Sequence, residues 1–255
     1  MMKKIQKTKM GLTEMANRPH LIVVIPIMLL MFVNGFLWMK VNSLEAKIDN
    51  GVEAPSALGD QAAGQAAEPE MNLEAIKAVG KDDYIRGSDD ADFVLVEYSD
   101  YECPFCQRFH DVMKQVMEEY GNKVAWVYRH YPLPFHQNAQ MESEAAECVG
   151  ELGGLEKFWQ YSDSIYEKTT STGTSFTKDQ MAEMAVSVGV DKAKFVSCLD
   201  SGKYTDKVNA QLKDGSDAGI QGTPGTVIIA KNGQREFVPG ALPFEEVKAL
   251  IDGMK

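Results

Sequence analysis

Cys103 and Cys106, separated by a proline and a phenylalanine, are the residues of this chain best suited to chemistry, and they sit in the stretch SDYECPFC at 99 to 106. Three readings compete for them: a redox pair, half of a metal site, or two cysteines that happen to be close. The chain has four cysteines, at 103, 106, 148 and 198. A structural zinc site needs four ligands, and Cys148 and Cys198 are too isolated in sequence for paired-knuckle spacing. Redox chemistry fits the tetrapeptide on physical grounds. Two intervening residues at a helix start let the sulfurs close a small ring, while amide hydrogens and the helix dipole favour the thiolate of the first cysteine. Cys103 is then expected to be the exposed, reactive thiol. Cys106, one turn into the helix, is the more buried partner that leaves and returns.

These cysteines need elements to hold them, and the flanking sequence supplies both. FVLVEYS (93 to 99) reads as a buried strand and QRFHDVMKQVMEEYG as the helix that follows, with Pro104 suited to its first turn and Gly121 to its end. KVAWVYRHY (123 to 131) makes a second strand, so the motif sits at a strand's carboxyl end in a β-α-β unit. Glu97 is an odd residue for the middle of that first strand. A buried, unpaired carboxylate is costly and has a raised pKa, so either it has a task or it faces solvent from a half-buried strand. From about 136 to 217 the pattern is helical, in the segments NAQMESEAAECVGELGG, LEKFWQYSDSIYEK, TKDQMAEMAVSVGV and DKAKFVSCLDSGKYTDKVNAQLKDG. TVIIA and REFVPG then flank Asn232-Gly233, a hairpin signal, and FEEVKALIDGMK closes as a helix. The order is β-α-β, a helical block, then β-β-α, an α/β fold. His110 shares the cysteines' helix at a spacing that allows the same face, with a surface position as the favoured reading. His130 and His136 flank YPLPF and read as shaping that corner, and the FWQY aromatics with Met113 and Met117 read as core.

Charge divides the chain. Residues 1 to 40 hold six basic side chains against Glu14 alone, which leaves twenty basic and thirty-six acidic residues beyond position 40. So acidic a main domain argues against nucleic acid or anionic lipid as its partner. The uncharged run LIVVIPIMLLMFVNGFLWM, 21 to 39, has the length of a membrane-crossing helix. A cleaved signal peptide is the competing reading, but the run is long and continues through Trp38, Met39 and Lys40. An uncleaved anchor with residues 1 to 20 cytoplasmic and the rest outside follows from the positive-inside rule, and it places the cysteines where disulfides persist. Residues 40 to 70, rich in Ala, Gly, Glu and Pro, read as a linker, and 71 to 255 as the folded domain.

YECPFC after an apolar strand, YRHYPLPFHQNA, AAECVG, FVSCLDSGKY and GTPGTVII together resemble the DsbA-like thiol:disulfide oxidoreductases of the thioredoxin superfamily, in particular their membrane-anchored branch. The resemblance covers roughly residues 71 to 255. It implies a thioredoxin fold with an inserted helical domain, Cys103 as nucleophile and Cys106 as resolving cysteine. It further implies that Pro224 is a cis-proline facing them, that Thr223 before it offers main-chain groups to a substrate strand, and that Glu97 exchanges protons with Cys106. An ordinary turn at Pro224 is the plain alternative. Relatives with AAEC and FxxCL segments carry a disulfide corresponding to Cys148–Cys198; two buried free thiols is the other reading. Closing a loop of about fifty residues adds roughly 4 kcal/mol in the chain-entropy model.

The implied activity is extracytoplasmic disulfide formation in secreted proteins. Its partners are unfolded or partly folded cysteine-containing chains and a quinone-linked membrane reoxidant. No cofactor is called for, since the sulfur pair carries the electrons. Phe105 stands where the strongest oxidases of the family have a histidine, and Glu102 adds a negative neighbour, so a reductase or isomerase stays open. So does a tethered peptide-binding module or holdase.

Overall fold

The computed structural model describes residues 71–169 and 176–254, all within the compact unit Gln65–Lys255. The expected cytoplasmic N-terminus, anchor and linker (1–20, 21–39 and 40–70) lie outside the described residues. Among the described residues no helix is long and apolar enough to cross a membrane.

Five strands form one mixed sheet: β1 Tyr84–Gly87, β2 Phe93–Ser99, β3 Val124–His130, β4 Gly225–Ala230 and β5 Arg235–Pro239, in the spatial order β1-β3-β2-β4-β5. β2 lies at the centre, parallel to β3 and antiparallel to β4. A central strand covered on both faces has no solvent side, which is why FVLVEYS is almost continuously apolar. The helices are α1 Pro104–Tyr120, α2 Ala139–Lys168, α3 Lys178–Ser187, α4 Lys192–Asp200, α5 Thr205–Asp217 and α6 Phe244–Gly253.

Alternation along β2 separates two cores. Phe93 and Leu95 face a cluster built with α1, α6 and the block of α2 to α4. Val96 and Tyr98 face a smaller one, closed by Tyr131, Ala218, Ile220 and the segment around Ile76. Glu97 and Ser99 therefore fall on the α1 side. α1 starts where the sequence says it should, with Cys103 as N-cap, Pro104 in the first turn and Gly121 ending it at φ 56. Cys106, Phe109, His110, Met113, Val116 and Tyr120 form its buried stripe.

The helical block is pinned by local chemistry. Thr177 and Gln180 make a reciprocal capping box on α3, and the Asp191 side chain caps α4. A disulfide joins Cys148 of α2 to Cys198 of α4. Two details differ from the sequence expectation. β1 was not anticipated, and it pairs antiparallel with the otherwise open side of β3. The segment expected as one helix from Asp191 to Gly215 is two, α4 and α5, parted by a turn at Gly202 with φ 63.

Candidate active site

The CPFC tetrapeptide is held by the two acidic residues before it. Asp100 Oδ1 accepts the Glu102 N–H at 2.8 Å, and its backbone carbonyl accepts the Cys103 N–H at 3.1 Å, so the chain turns directly from β2 into α1. Its other oxygen, Oδ2, accepts the Leu133 N–H at 2.7 Å and bonds His136 Nδ1 at 2.8 Å. Glu102 Oε2 accepts the N–H groups of Asn138 and Ala139 at 2.9 and 3.1 Å, at the start of α2. Both carboxylates are buried. Burial pushes the Asp100 carboxyl up, against the pull of its donors. Glu102 was expected to oppose the thiolate as a negative neighbour. Instead its side chain runs to the first turn of α2, where it accepts from amides that have no partner within the helix.

Cys103 and Cys106 are both free thiols. Cys103, expected to be exposed, is only 4% accessible, while Cys106 is completely enclosed. The cover is the loop before β4. Because β4 runs antiparallel to β2, its first residue, Gly225, pairs with Tyr98 and the preceding Thr223-Pro224 comes to lie over the motif. The Thr223-Pro224 bond is cis, and Cys103 Sγ donates to the Thr223 carbonyl at 3.4 Å. The two thiols titrate in opposite directions. A hydrogen bond from Cys106 pulls Cys103 down to about 6, against burial and with help from Thr223 and from the N–H groups of Cys106 and Phe105. Burial pushes Cys106 well up, and the charges of Cys103 and Glu97 push it further.

Glu97 lies beneath this pair, fully buried. Oε2 accepts the Trp126 indole N–H at 2.8 Å, while Oε1 has no hydrogen-bonding partner among the described residues. Burial raises its carboxyl to about 7, with Ser99 and Trp126 pulling the other way. Ser99 Oγ is 2.9 Å from the Tyr166 hydroxyl, which is 2.8 Å from that of Tyr128. Ser99, Asp100, Trp126 and Tyr166 were not singled out from sequence. Ser99 had a usable signal, being two residues from Glu97 and so on the same strand face. Tyr166 had none, since it arrives from α2.

His110 is not on the surface. α2 packs over it, its ring lies 4.6 Å from that of Tyr166 and 4.9 Å from that of Trp126, and Nε2 meets Asp163 Oδ1 at 2.7 Å. Burial lowers its pKa despite Asp163. His130 is buried beside Glu147, with Nε2 to Oε1 at 3.2 Å, and with His136 it shapes the corner after β3. Phe105 is 53% exposed beside the thiols, with the Arg108 guanidinium 4.5 Å from its ring centre. A cavity of about 430 Å³ opens beside the Pro224 loop, lined by Met71, Gln221, Thr223, Pro224 and Phe237 among others. Among the described residues no three His, Cys, Asp or Glu side chains are grouped to hold a metal ion. The arrangement offers two free thiols one turn apart, one pulled down and the other pushed up, a buried carboxyl raised to about 7, and backbone groups beside the Cys103 sulfur.

Comparison with known proteins gives three results. A family model described as Thioredoxin matches residues 80–253. Among curated proteins, the Na(+)/H(+) antiporter NhaA 1 of Mycolicibacterium vanbaalenii is 31% identical over 161 residues, 60% of this chain and 24% of that protein. The antiporter NhaA of Herminiimonas arsenicoxydans is 28% identical over 142 residues, 56% of this chain and 21% of that one. The chain thus spans about a quarter of the length of the curated relatives it matches. Among solved structures, oxidised BdbD from Bacillus subtilis aligns with TM-score 0.60 at 22% identity, covering 68% of this chain and 92% of that one. DsbA2 from Pseudomonas aeruginosa aligns with TM-score 0.58 at 24% identity, covering 70% and 97%. The thiol-disulfide exchange protein alpha-DsbA2 from Wolbachia pipientis aligns with TM-score 0.54 at 17% identity, covering 67% and 86%. These likenesses establish a shared fold.

Proposed function

We propose, from the premise that the chain belongs to the thioredoxin family across residues 80–253, that it is a protein thiol:disulfide oxidoreductase. Cys103 forms the mixed disulfide, and Cys106 is the thiol that leaves as it forms and would resolve it in the reverse direction. The observation that carries this reading is the placement of two free thiols one helical turn apart, Cys103 at the N-cap of α1 against the loop of the cis Thr223-Pro224 bond and Cys106 fully enclosed behind it. A thiol pair kept only for structure has no need of that asymmetry.

The direction we assign is disulfide donation to unfolded, cysteine-containing secreted proteins. Stabilising the Cys103 thiolate stabilises the reduced pair, which makes the oxidised pair the better electron acceptor. A substrate thiolate attacks Cys103 Sγ and forms a new S–S bond, while the Cys103–Cys106 bond breaks and Cys106 leaves with its electron pair. Glu97 donates the proton that makes Cys106 a thiol. A second substrate thiolate then attacks the substrate sulfur and releases Cys103 as the thiolate its surroundings favour. The substrate has lost two electrons, and the enzyme returns them to a quinone-linked membrane protein. Thr223 positions the incoming strand through its backbone, with Pro224 keeping an amide hydrogen away from the sulfur. Residues 21–39 anchor the chain, and the basic residues before them favour a catalytic domain outside the membrane.

The test is the pH dependence of Cys103 alkylation, measured beside exchange with a reduced unfolded protein. Alkylation is expected to rise with a midpoint near pH 6, and Cys103→Ala is expected to lose exchange completely. Retained exchange in that variant overturns the assignment. A reduction potential near that of cytosolic reductants overturns the donor direction and leaves a reductase or isomerase.

A further inference from the structure

The role of Glu97 depends on which of its two oxygens carries the proton, and the structure contains a device that decides this. Glu97 and Leu95 lie on one face of β2, and β3 runs parallel beside them with Tyr128 opposite Glu97 and Trp126 opposite Leu95. Trp126 therefore reaches Glu97 along the diagonal of the ladder. Its N–H donates to Oε2 at 2.8 Å. A protonated carboxyl in this position carries its hydrogen on Oε1, because Oε2 is already facing a donor. When the group ionises, the same indole N–H stabilises the anion, and among the described residues no lysine or arginine is a main contributor to holding it there.

We propose that Trp126 is a positioning residue for thiol exchange: its indole N–H occupies Oε2 of Glu97 and fixes Oε1 as the atom that delivers the Cys106 proton and takes it back. The proposal rests on Glu97 being the proton donor to Cys106. When Cys106 leaves with the electron pair of the broken S–S bond, the proton passes from Oε1 to Cys106 Sγ through one bridging water, the two atoms not being in direct hydrogen-bond contact, and the new carboxylate keeps its hydrogen bond from Trp126. Reoxidation by the electron-accepting partner runs the proton the other way. Ser99 supports the same state from within β2, and its hydroxyl is oriented in turn by Tyr166.

Other groups surround Glu97 and have to be told apart from it. Cys103 and Cys106 face it from the motif and α1, Tyr101 from the turn after β2, Tyr128 from β3 and Tyr166 from α2, and burial drives all three tyrosines far above neutrality. Thr226 lies across the ladder on β4. His110 packs on the far side of Trp126, with Asp163 and Arg86 beyond it.

The experiment follows the Trp126 indole ¹⁵N–¹H resonance in the reduced full chain between about pH 5 and 9, a range that brackets a carboxyl near neutrality. The indole signal is assigned with Trp38→Phe and Trp159→Phe. Alongside it, the rate at which a small thiol reduces the oxidised protein is followed across the same range. The resonance is expected to shift with a midpoint near pH 7, the value to which burial raises Glu97, and to stop shifting in Glu97→Gln. In Trp126→Phe the carboxylate-dependent inflection of the rate profile should rise by about one pH unit, as for loss of a hydrogen bond to the charged form. Trp126→Phe added to Glu97→Gln should change the rate no further.

A flat resonance in wild type overturns the proposal. So does a shift that survives in Glu97→Gln, which reports Cys103 or His110 instead. If Glu97→Gln has the wild-type rate profile, the proton-donor reading fails and the proposal with it; if the profile changes while the resonance is flat, the proposal fails alone. The resonance arm leaves Trp126 intact, so a core defect in Trp126→Phe does not decide the outcome.

Discussion

Glu142→Gln is expected to stabilise the protein at alkaline pH, by an amount the structure sets. Glu142 lies in the first turn of α2, fully buried. Oε1 accepts the Phe176 N–H at 2.9 Å, and Oε2 has no hydrogen-bonding partner among the described residues. Burial raises its carboxyl from 4.5 to about 8, and the charges of Glu102 and Asp100 add to the effect. The folded protein thus holds this proton more tightly than the unfolded chain does. The stabilisation is complete below about pH 4.5 and is lost as pH rises through about 8. At 1.36 kcal/mol per pH unit the interval corresponds to an upper limit of about 5 kcal/mol, and relaxation around a charged group brings the expected figure to about 3 kcal/mol. Glutamine keeps the acceptor for Phe176 and cannot ionise. The stability difference between variant and wild type should be near zero below about pH 4 and reach about 3 kcal/mol by about pH 9. Urea unfolding with unchanged m-values measures it, with Cys103 and Cys106 alkylated in both proteins so that thiol titration cancels. A difference that stays flat across this range, or falls, refutes the reasoning.

Glu102→Gln separates a neighbour in sequence from a neighbour in space. It should cost about 1 kcal/mol through the weakened start of α2, while the Cys103 alkylation midpoint moves by less than about 0.3 pH unit; a larger displacement returns Glu102 to the thiol's surroundings. Arg129 is buried between Asp83 Oδ1 at 3.0 Å and Asp214 Oδ2 at 2.8 Å. Arg129→Met should therefore cost about 3 to 5 kcal/mol in urea unfolding by stranding two carboxylates. A loss below about 1 kcal/mol means water already screens the cluster.

The elements legible in the sequence are those whose causes are local. β2 announces itself by an unbroken apolar run, and α1 by Pro104 at one end and Gly121 at the other. Gly154, which joins the two expected segments of α2 with φ 81, marks the break that their periodicity implied. β1 was silent because YIRG is short and only half-buried; it is a strand because β3 offers it a free edge. The division between α4 and α5 was missed because SGKY carries one glycine inside a continuous helical pattern. Within the site, Cys103, Cys106 and Glu97 could be read from one segment, whereas Trp126 and Tyr166 come from β3 and α2. The burial of His110 and the turning away of Glu102 both depend on where α2 packs. No inspection of the residues around the cysteines contains that information.

The pairing of Tyr98 with Gly225 has a consequence for how the chain handles its own cysteines. Cys103 and Cys106 are adjacent enough to meet in any conformation, but the Thr223 carbonyl that Cys103 touches is 120 residues away in sequence. That contact exists only once β4 has docked beside β2, at the end of a long loop closure. While the strands are apart, the Thr223 side chain, which helps hold the Cys103 thiolate, is absent as well. The low titration expected of Cys103 is thus a property of the finished fold that the tetrapeptide alone does not carry.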